Sequence, residues 1–197
     1  VISALRRSLR PRPGTWLLLI GMLLLAALLP GTVGAHPLPV AIDITDVQGQ
    51  ADLTPHLATL IDPSRSLALA DVTAPERSNE WQPAGNRVPN FGLIDDAVWV
   101  TFAVHNSGAE PAAWVVNLDM PAMGSLTWFP PGALTDATDV VQTGTSFAFS
   151  SRPIPSRSFA FPIQVAPGAT DRYYLRLESQ LPVRAPMNLW AQSAFNA

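Results

Sequence analysis

The chemistry open to this chain of 197 residues is limited by what it lacks: it has three histidines, fifteen carboxylates and no cysteine. His36, His56 and His105 stand far apart and form no metal spacing of the H-E-x-x-H kind. There is no cysteine nucleophile and no G-x-S-x-G elbow. Asp95 and Asp96 are adjacent, so on a strand they would face opposite ways; a turn held by their local hydrogen bonds is the expected use. A glycosidase needs two carboxyls about 5–10 Å apart across a cleft. Among fifteen acids some such pair is inevitable, so it does not single out an enzyme. Asp95, Asp96, Asp136 and Asp139 are the calcium candidates, but no EF-hand spacing supports them, and solvated turn residues are the simpler reading. The expectation is a non-enzyme with no metal and no cofactor.

Binding chemistry is better represented. In "AVWVTFAVH", residues 97–105, one strand face is wholly apolar (Val98, Val100, Phe102, Val104). The other carries Trp99, Thr101 and His105. If strands 171–178 and 187–192 lie in the same sheet, Tyr174, Arg176, Asn188, Trp190 and Gln192 join that face. Aromatic rings pack on the apolar C–H faces of sugars, while Arg, Asn and Gln bond the hydroxyl edges. A second reading buries Trp99 under the 76–92 loop, with Trp81 or Phe91 packed over it. Trp81, Asn90 and Phe91 in that polar loop are further ligand candidates, since loops often carry function. So are Arg152 and Arg157 in "SSRPIPSRSF", whose forked guanidinium groups suit carboxylates and acidic sugars; salt-bridging to nearby acids is the plainer alternative.

These groups need a scaffold. Short apolar runs alternate with Pro-, Gly- and Asp-rich turns, and no long helical period occurs. That pattern predicts an all-β antiparallel sandwich of about eight to nine strands, of jelly-roll or immunoglobulin-like type. Strands are expected at 41–47, 55–61, 97–105, 113–119, 125–129, around 140–144, 158–165, 171–178 and 187–192. "DPSRSLALADVT" opens with a turn and continues as a short helix or strand. Phe159, Phe161, Ile163 and Val165 should point inward, as should Tyr173, Leu175, Leu177, Met187 and Leu189. Pro162 places its strand near an edge or a bulge.

The N-terminus has a different composition. Residues 1–15 carry Arg6, Arg7, Arg10 and Arg12, and residues 16–29 are apolar. A bilayer span takes about 20 residues, so this run is short for one. It reads as a signal peptide cleaved after Ala35, with Val33 and Ala35 at the −3 and −1 positions; an uncleaved anchor is the alternative. "RRSLR" loosely matches a twin-arginine signal, but the apolar core fits the general secretory route better. All twelve basic residues are Arg; without the four in the leader, eight face fifteen acids. A mature part near −7 argues against nucleic acid. Without cysteine there is no disulfide framework, so the core alone must hold the fold. Residues 36–54 read as an extended lead-in with a first strand, and 55–197 as the sandwich domain.

Several segments together resemble the periplasmic sensor domain, extracellular type 2, of bacterial seven-transmembrane receptors with diverse intracellular signalling modules. They are "LIDPS", "EWQP", "PNFG", "AVWVTFAVHN", "SSRPIPSRSFAFPI", "PG" followed by "DRYYLRLES", and "MNLWAQSAF". In order they cover roughly residues 55–195. The resemblance implies a jelly-roll sandwich related to carbohydrate-binding modules. It also implies a seven-helix membrane region and a kinase or cyclase output downstream. This sequence departs from that pattern by stopping at Ala197, so no output is assigned to it. The resulting expectation is an exported, non-catalytic domain of the periplasm. It would sense a small carbohydrate-like ligand as the input module of a membrane receptor. Exposed aromatic and Arg residues also suit a protein-interaction or homodimerisation module. A glycoside-hydrolase-like enzyme is a distant third.

Overall fold

The computed structural model describes residues 38–196; the expected leader, residues 1–35, lies outside them. Thirteen strands follow in chain order. The first five are short: β1 (Ile42–Asp43), β2 (Gln50–Asp52), β3 (Ala58–Asp62), β4 (Gln82–Pro83) and β5 (Asn90–Gly92). Then come β6 (Ala97–His105), β7 (Ala112–Leu118), β8 (Ser125–Phe129) and β9 (Val141–Thr143). The last are β10 (Phe159–Val165), β11 (Thr170–Glu178), β12 (Val183–Arg184) and β13 (Met187–Ala191). Two short helices, α1 (Leu69–Thr73) and α2 (Gln192–Phe195), complete the set.

Two sheets form the sandwich. The larger has the order β4-β3-β6-β11-β8-β9, with β1 added in parallel to β6; the smaller has the order β10-β7-β13-β2. Their facing rows interlock as one apolar core. Val98, Val100, Phe102, Leu126, Trp128, Tyr173 and Leu175 come from one sheet. Val116, Leu118, Phe159, Phe161, Met187 and Leu189 come from the other. Trp128 stacks flat on Phe161 across the interface, with centroids 4.5 Å apart and planes at 5°. The all-β sandwich and its expected inward rows are therefore present. β10 is an edge strand, which is where Pro162 can sit without a missing ladder bond.

Two strand expectations need correction. The run 41–47 forms only the two residues of β1. Asp43 then accepts bonds from the Thr45 amide at 3.1 Å and the Thr45 hydroxyl at 2.8 Å, which winds 44–46 into a 3-10 turn. Likewise 55–61 starts as a 3-10 turn over Thr54–His56 with Pro55 inside it, and the strand begins at Ala58. The additional strands beyond nine are pieces of two or three residues, too short to show an alternation.

The larger sheet is covered on its outer face as well. Ala58 and Leu60 of β3, Trp99 of β6, and Leu69 and Val72 of α1 form a second apolar cluster with Trp81. Leu69 and Val72 are three apart and so share one side of α1. Asp71 accepts the Ala68 amide at 2.8 Å and fixes the helix start. The Trp81 indole N–H donates to the Val72 carbonyl at 3.0 Å. β6 is consequently buried on both faces, which is why its second face carries a Trp.

Candidate functional site

The residues expected to share one binding face do not share one. β11 and β13 belong to different sheets, so Tyr174 and Arg176 are separated from Asn188, Trp190 and Gln192. Trp190 lies beside Val115 and Gln50 in register, half-buried, with Phe195 edge-on at 6.3 Å. Asn188 accepts a bond from Gln50 at 3.3 Å on that same small sheet. Trp99 is fully buried, and Phe129 stacks on it at 5.4 Å with planes 22° apart. Its ring has no face open to a ligand, and covering by the 76–92 segment is the reading the packing supports. Trp81 of that segment joins Trp99 in the same apolar cluster, buried itself and tilted against Tyr174 at 6.0 Å. Burial raises the Tyr174 pKa, against the Arg172 charge and the Thr101 hydroxyl, which lower it.

The two loop arginines also differ from each other. Arg152 lies over the Phe159 ring at 4.4 Å and the Phe149 ring at 5.0 Å. Its Nη1 donates to the carbonyls of Ser156 and, at 2.9 Å, Arg157. It therefore staples its own loop. Arg157 is exposed and contributes its carbonyl to that staple. Asn90 and Phe91 do come together, with Arg87 and Gln82, in a shallow groove of about 340 Å³. The Asn90 side chain is occupied in part by the Gly92 amide at 3.2 Å. Of the calcium candidates, Asp136 accepts from the Thr138 amide and hydroxyl, which hold its pKa below the ordinary value. Among the described residues no cluster of three His, Cys, Asp or Glu could hold a metal ion.

Of the expected ligand-binding residues, Arg176 borders a further cleft only through its partner Glu178, while the calcium candidate Asp95 lines it directly. This cleft, about 590 Å³, opens at the end of the sandwich. Its walls include Arg65, Asp95, Ser125, Thr145, Ser146, Glu178, Ser179 and Gln180. Glu178 ends β11 and accepts from both Arg65, at 2.6 Å, and Arg176. Arg176 also donates to the Arg65 carbonyl at 2.7 Å. The three side chains form one closed charge cluster at the rim.

Backbone details hold this rim in place. Arg65 has a left-handed φ of 55°, the only such non-glycine among the described residues. Strain of this kind persists only where neighbours over-determine it. Here the Arg65 amide bonds the Asp62 carbonyl at 3.2 Å, and the Asp62 carboxylate accepts from the Ser64 hydroxyl at 2.5 Å and the Leu67 amide at 3.0 Å. Burial pushes the Asp62 pKa up, but these bonds and the Arg176 charge outweigh it and hold the carboxyl below its usual range. On the opposite wall, a Cβ added to Gly144 would stand 2.2 Å from the Gly124 carbonyl oxygen. The Thr145 and Ser146 amides close that contact by donating to the Met123 and Gly124 carbonyls, each at 2.9 Å. Sequence reasoning missed Arg65, Ser125, Thr145, Ser146 and Gln180. The available signals were the "DPSR" turn and the glycine of "TGTS", both of which mark backbone that must bend.

A match to 7TMR-DISM extracellular 2 spans residues 54–191. The chain belongs to this family. The matched span holds every strand from β3 to β13, and with them the Arg65 turn and both walls of the large cleft. Membership makes this an extracellular-type domain of a receptor family, suggestive of a periplasmic sensor module that in full-length proteins is associated with a membrane receptor. A comparison with curated proteins finds no match. Among solved structures, the chain is similar to a Bacillus thuringiensis Cry1Da tryptic core variant at 15% identity and a TM-score of 0.28. That similarity covers 48% of this chain and 18% of the other. Among the described residues no helix is long and apolar enough to cross a membrane.

Proposed function

We propose that this 7TMR-DISM extracellular 2 domain is an exported, non-catalytic sensor that binds a neutral, hydroxyl-rich ligand of carbohydrate type in the Arg65–Glu178 cleft. The observation that carries this reading is the lining. It combines three Ser hydroxyls, one Thr hydroxyl and the Gln180 amide with a guanidinium already paired to a carboxylate. Such a surface offers donors and acceptors in fixed directions, and Asp95, a carboxylate with no ion-pair partner among the described residues, turns it against an anionic ligand. Residues 1–35 serve as its signal peptide. In a complete receptor the ligand must bind two states unequally to transmit anything. The Arg65–Glu178–Arg176 cluster is suited to that role because it links the 62–66 turn to the end of β11.

The reading is tested by thermal shift of the intact chain against neutral oligosaccharides and hexuronates. A neutral glycan should raise the midpoint, equivalent to about 2.7 kcal/mol of stability at a hundredfold excess over its dissociation constant. The shift should vanish in Arg65→Ala and survive in Arg152→Ala. Silence across the panel, together with concentration-dependent self-association, would favour the second reading, a protein-interaction or dimerisation module. The exposed Leu93, Phe149 and Leu181 speak for that alternative, at 72%, 60% and 52% exposure.

A further inference from the structure

A second cleft, of about 440 Å³, opens between the β8–β9 side of the larger sheet and edge strand β10 of the smaller one. Its chemistry is unlike that of the first. The charged groups on its lining are Asp139 and Asp171, and no Arg, Lys or His joins them. Asp171 occupies the inward row of β11, the row that continues as Tyr173, Leu175 and Leu177, and pairs in register with the buried Val104. The neighbouring Arg172 points to the opposite face of the sheet. Among the described residues the Asp171 carboxylate has neither a hydrogen-bond donor nor an ion-pair partner. Burial accordingly works to raise its pKa.

The walls narrow the class of ligand. Pro130, Pro153 and Pro162 supply apolar surface. The aromatic floor is largely stacked on itself, so it offers mostly ring edges. Trp128 lies between Phe161 at 4.5 Å and Tyr173 at 5.1 Å, and Tyr173 is backed by Phe102 at 5.3 Å. A quaternary ammonium, which is recognised by several open ring faces and cannot donate N–H bonds to the carboxylates, is poorly matched here. A protonated primary amine has two carboxylate acceptors and the Gln164 amide oxygen for its N–H groups. We propose that this cleft is a binding site for a small primary alkylamine, its ammonium held by Asp171 and Asp139 and its chain lying against the proline walls. The site is separate from the glycan cleft and stands or falls without it.

The test is calorimetric titration of the intact chain with butylamine, at constant ionic strength. Tetramethylammonium and 1-butanol serve as controls, and N-acetyl-lysine N-methylamide represents an amine on a protein side chain. Saturable binding of butylamine, weakened at least about tenfold in Asp171→Asn and also reduced in Asp139→Asn, is the expected result. Asp139 is exposed, so that second variant reports on the site even if Asp171→Asn perturbs packing. Tetramethylammonium binding as well as butylamine would overturn the N–H argument. Binding of the lysine derivative alone would overturn the free-amine assignment in favour of a protein side chain. No saturation by about 10 mM, or equal affinity in both variants, would remove the site altogether.

Discussion

The outer face of the larger sheet and the end of the sandwich both carry large or charged side chains, yet they are opposite in kind. On the face, Trp99 and Trp81 are both buried in one apolar cluster with α1, Trp99 stacked on Phe129 and Trp81 tilted against Tyr174, leaving no room for a ligand. At the end, Arg65, Arg176 and Glu178 satisfy one another yet border an open, hydroxyl-lined cleft. The difference lies in what each region must bury. A strand in the middle of a sheet can be apolar on both faces when a further layer covers it. A sandwich end has only turns, which remain wet and carry short polar side chains. A Trp on the second face of a strand therefore marks a third layer sooner than a sugar platform.

Substitutions can break this contrast, and the largest effect is expected on the closed face. Trp99→Ala should destabilise the chain by about 3–5 kcal/mol, the range for emptying a large aromatic site, as read by denaturant unfolding. A variant that unfolded at the wild-type midpoint would mean the face is open after all. Gly144→Ala comes next, at about 1–3 kcal/mol, since its new methyl must displace the Gly124 carbonyl. It should also weaken any ligand held in the large cleft.

Arg65→Gly separates stability from binding. It relieves a left-handed residue, worth about 1–2 kcal/mol, and removes a solvent-screened ion pair that contributes little. Unfolding should thus change little or shift toward greater stability, while glycan binding disappears. Loss of both together would make Arg65 a scaffold residue only.

The smallest effect is one of pH. The folded-state pKa of Asp62 lies below its unfolded value, so its contribution is present above the ordinary carboxylate pKa and is lost as pH falls through the folded one. Asp171 has the opposite sign: its folded pKa is raised, so its ionisation works against folding as pH rises through that value. Midpoints recorded from pH 7 down to about 3 should fall less steeply in Asp62→Asn than in wild type. Asp171→Asn should raise the midpoint at pH 7. An unchanged acid slope in Asp62→Asn would show that the 62–66 turn does not depend on its carboxylate.

Much of the scaffold was legible in the sequence, for a definite reason. Alternation along β6, β10, β11 and β13 reports directly which side faces a core, because side chains on a strand alternate with period two. Inward Phe159, Phe161, Tyr173, Leu175 and Leu189 follow from it, as does the edge position of Pro162. The resemblance carried by "LIDPS", "AVWVTFAVHN" and "DRYYLRLES" also identified the family. The two-residue strands left no trace, since alternation needs several residues to be visible.

The candidate site was mostly not legible. Arg176 was named, but its partners Arg65 and Glu178 are joined to it by the 62–66 turn and the antiparallel end of β11, not by any spacing in the chain. Trp190 shares a face with Arg176 only if their strands share a sheet, and a row of alternating residues does not say which strand lies beside it; the two strands belong to different sheets. The sequence by itself determined which residues are apolar, where the chain must bend, and that the chain carries no cysteine and few histidines. Only the tertiary structure decided that β11 pairs with β6 and β8 while β13 pairs with β7 and β2. That choice rests on long-range packing between sheets, and it alone puts Glu178 beside Arg65, Asp171 in a cleft, and Trp99 out of reach.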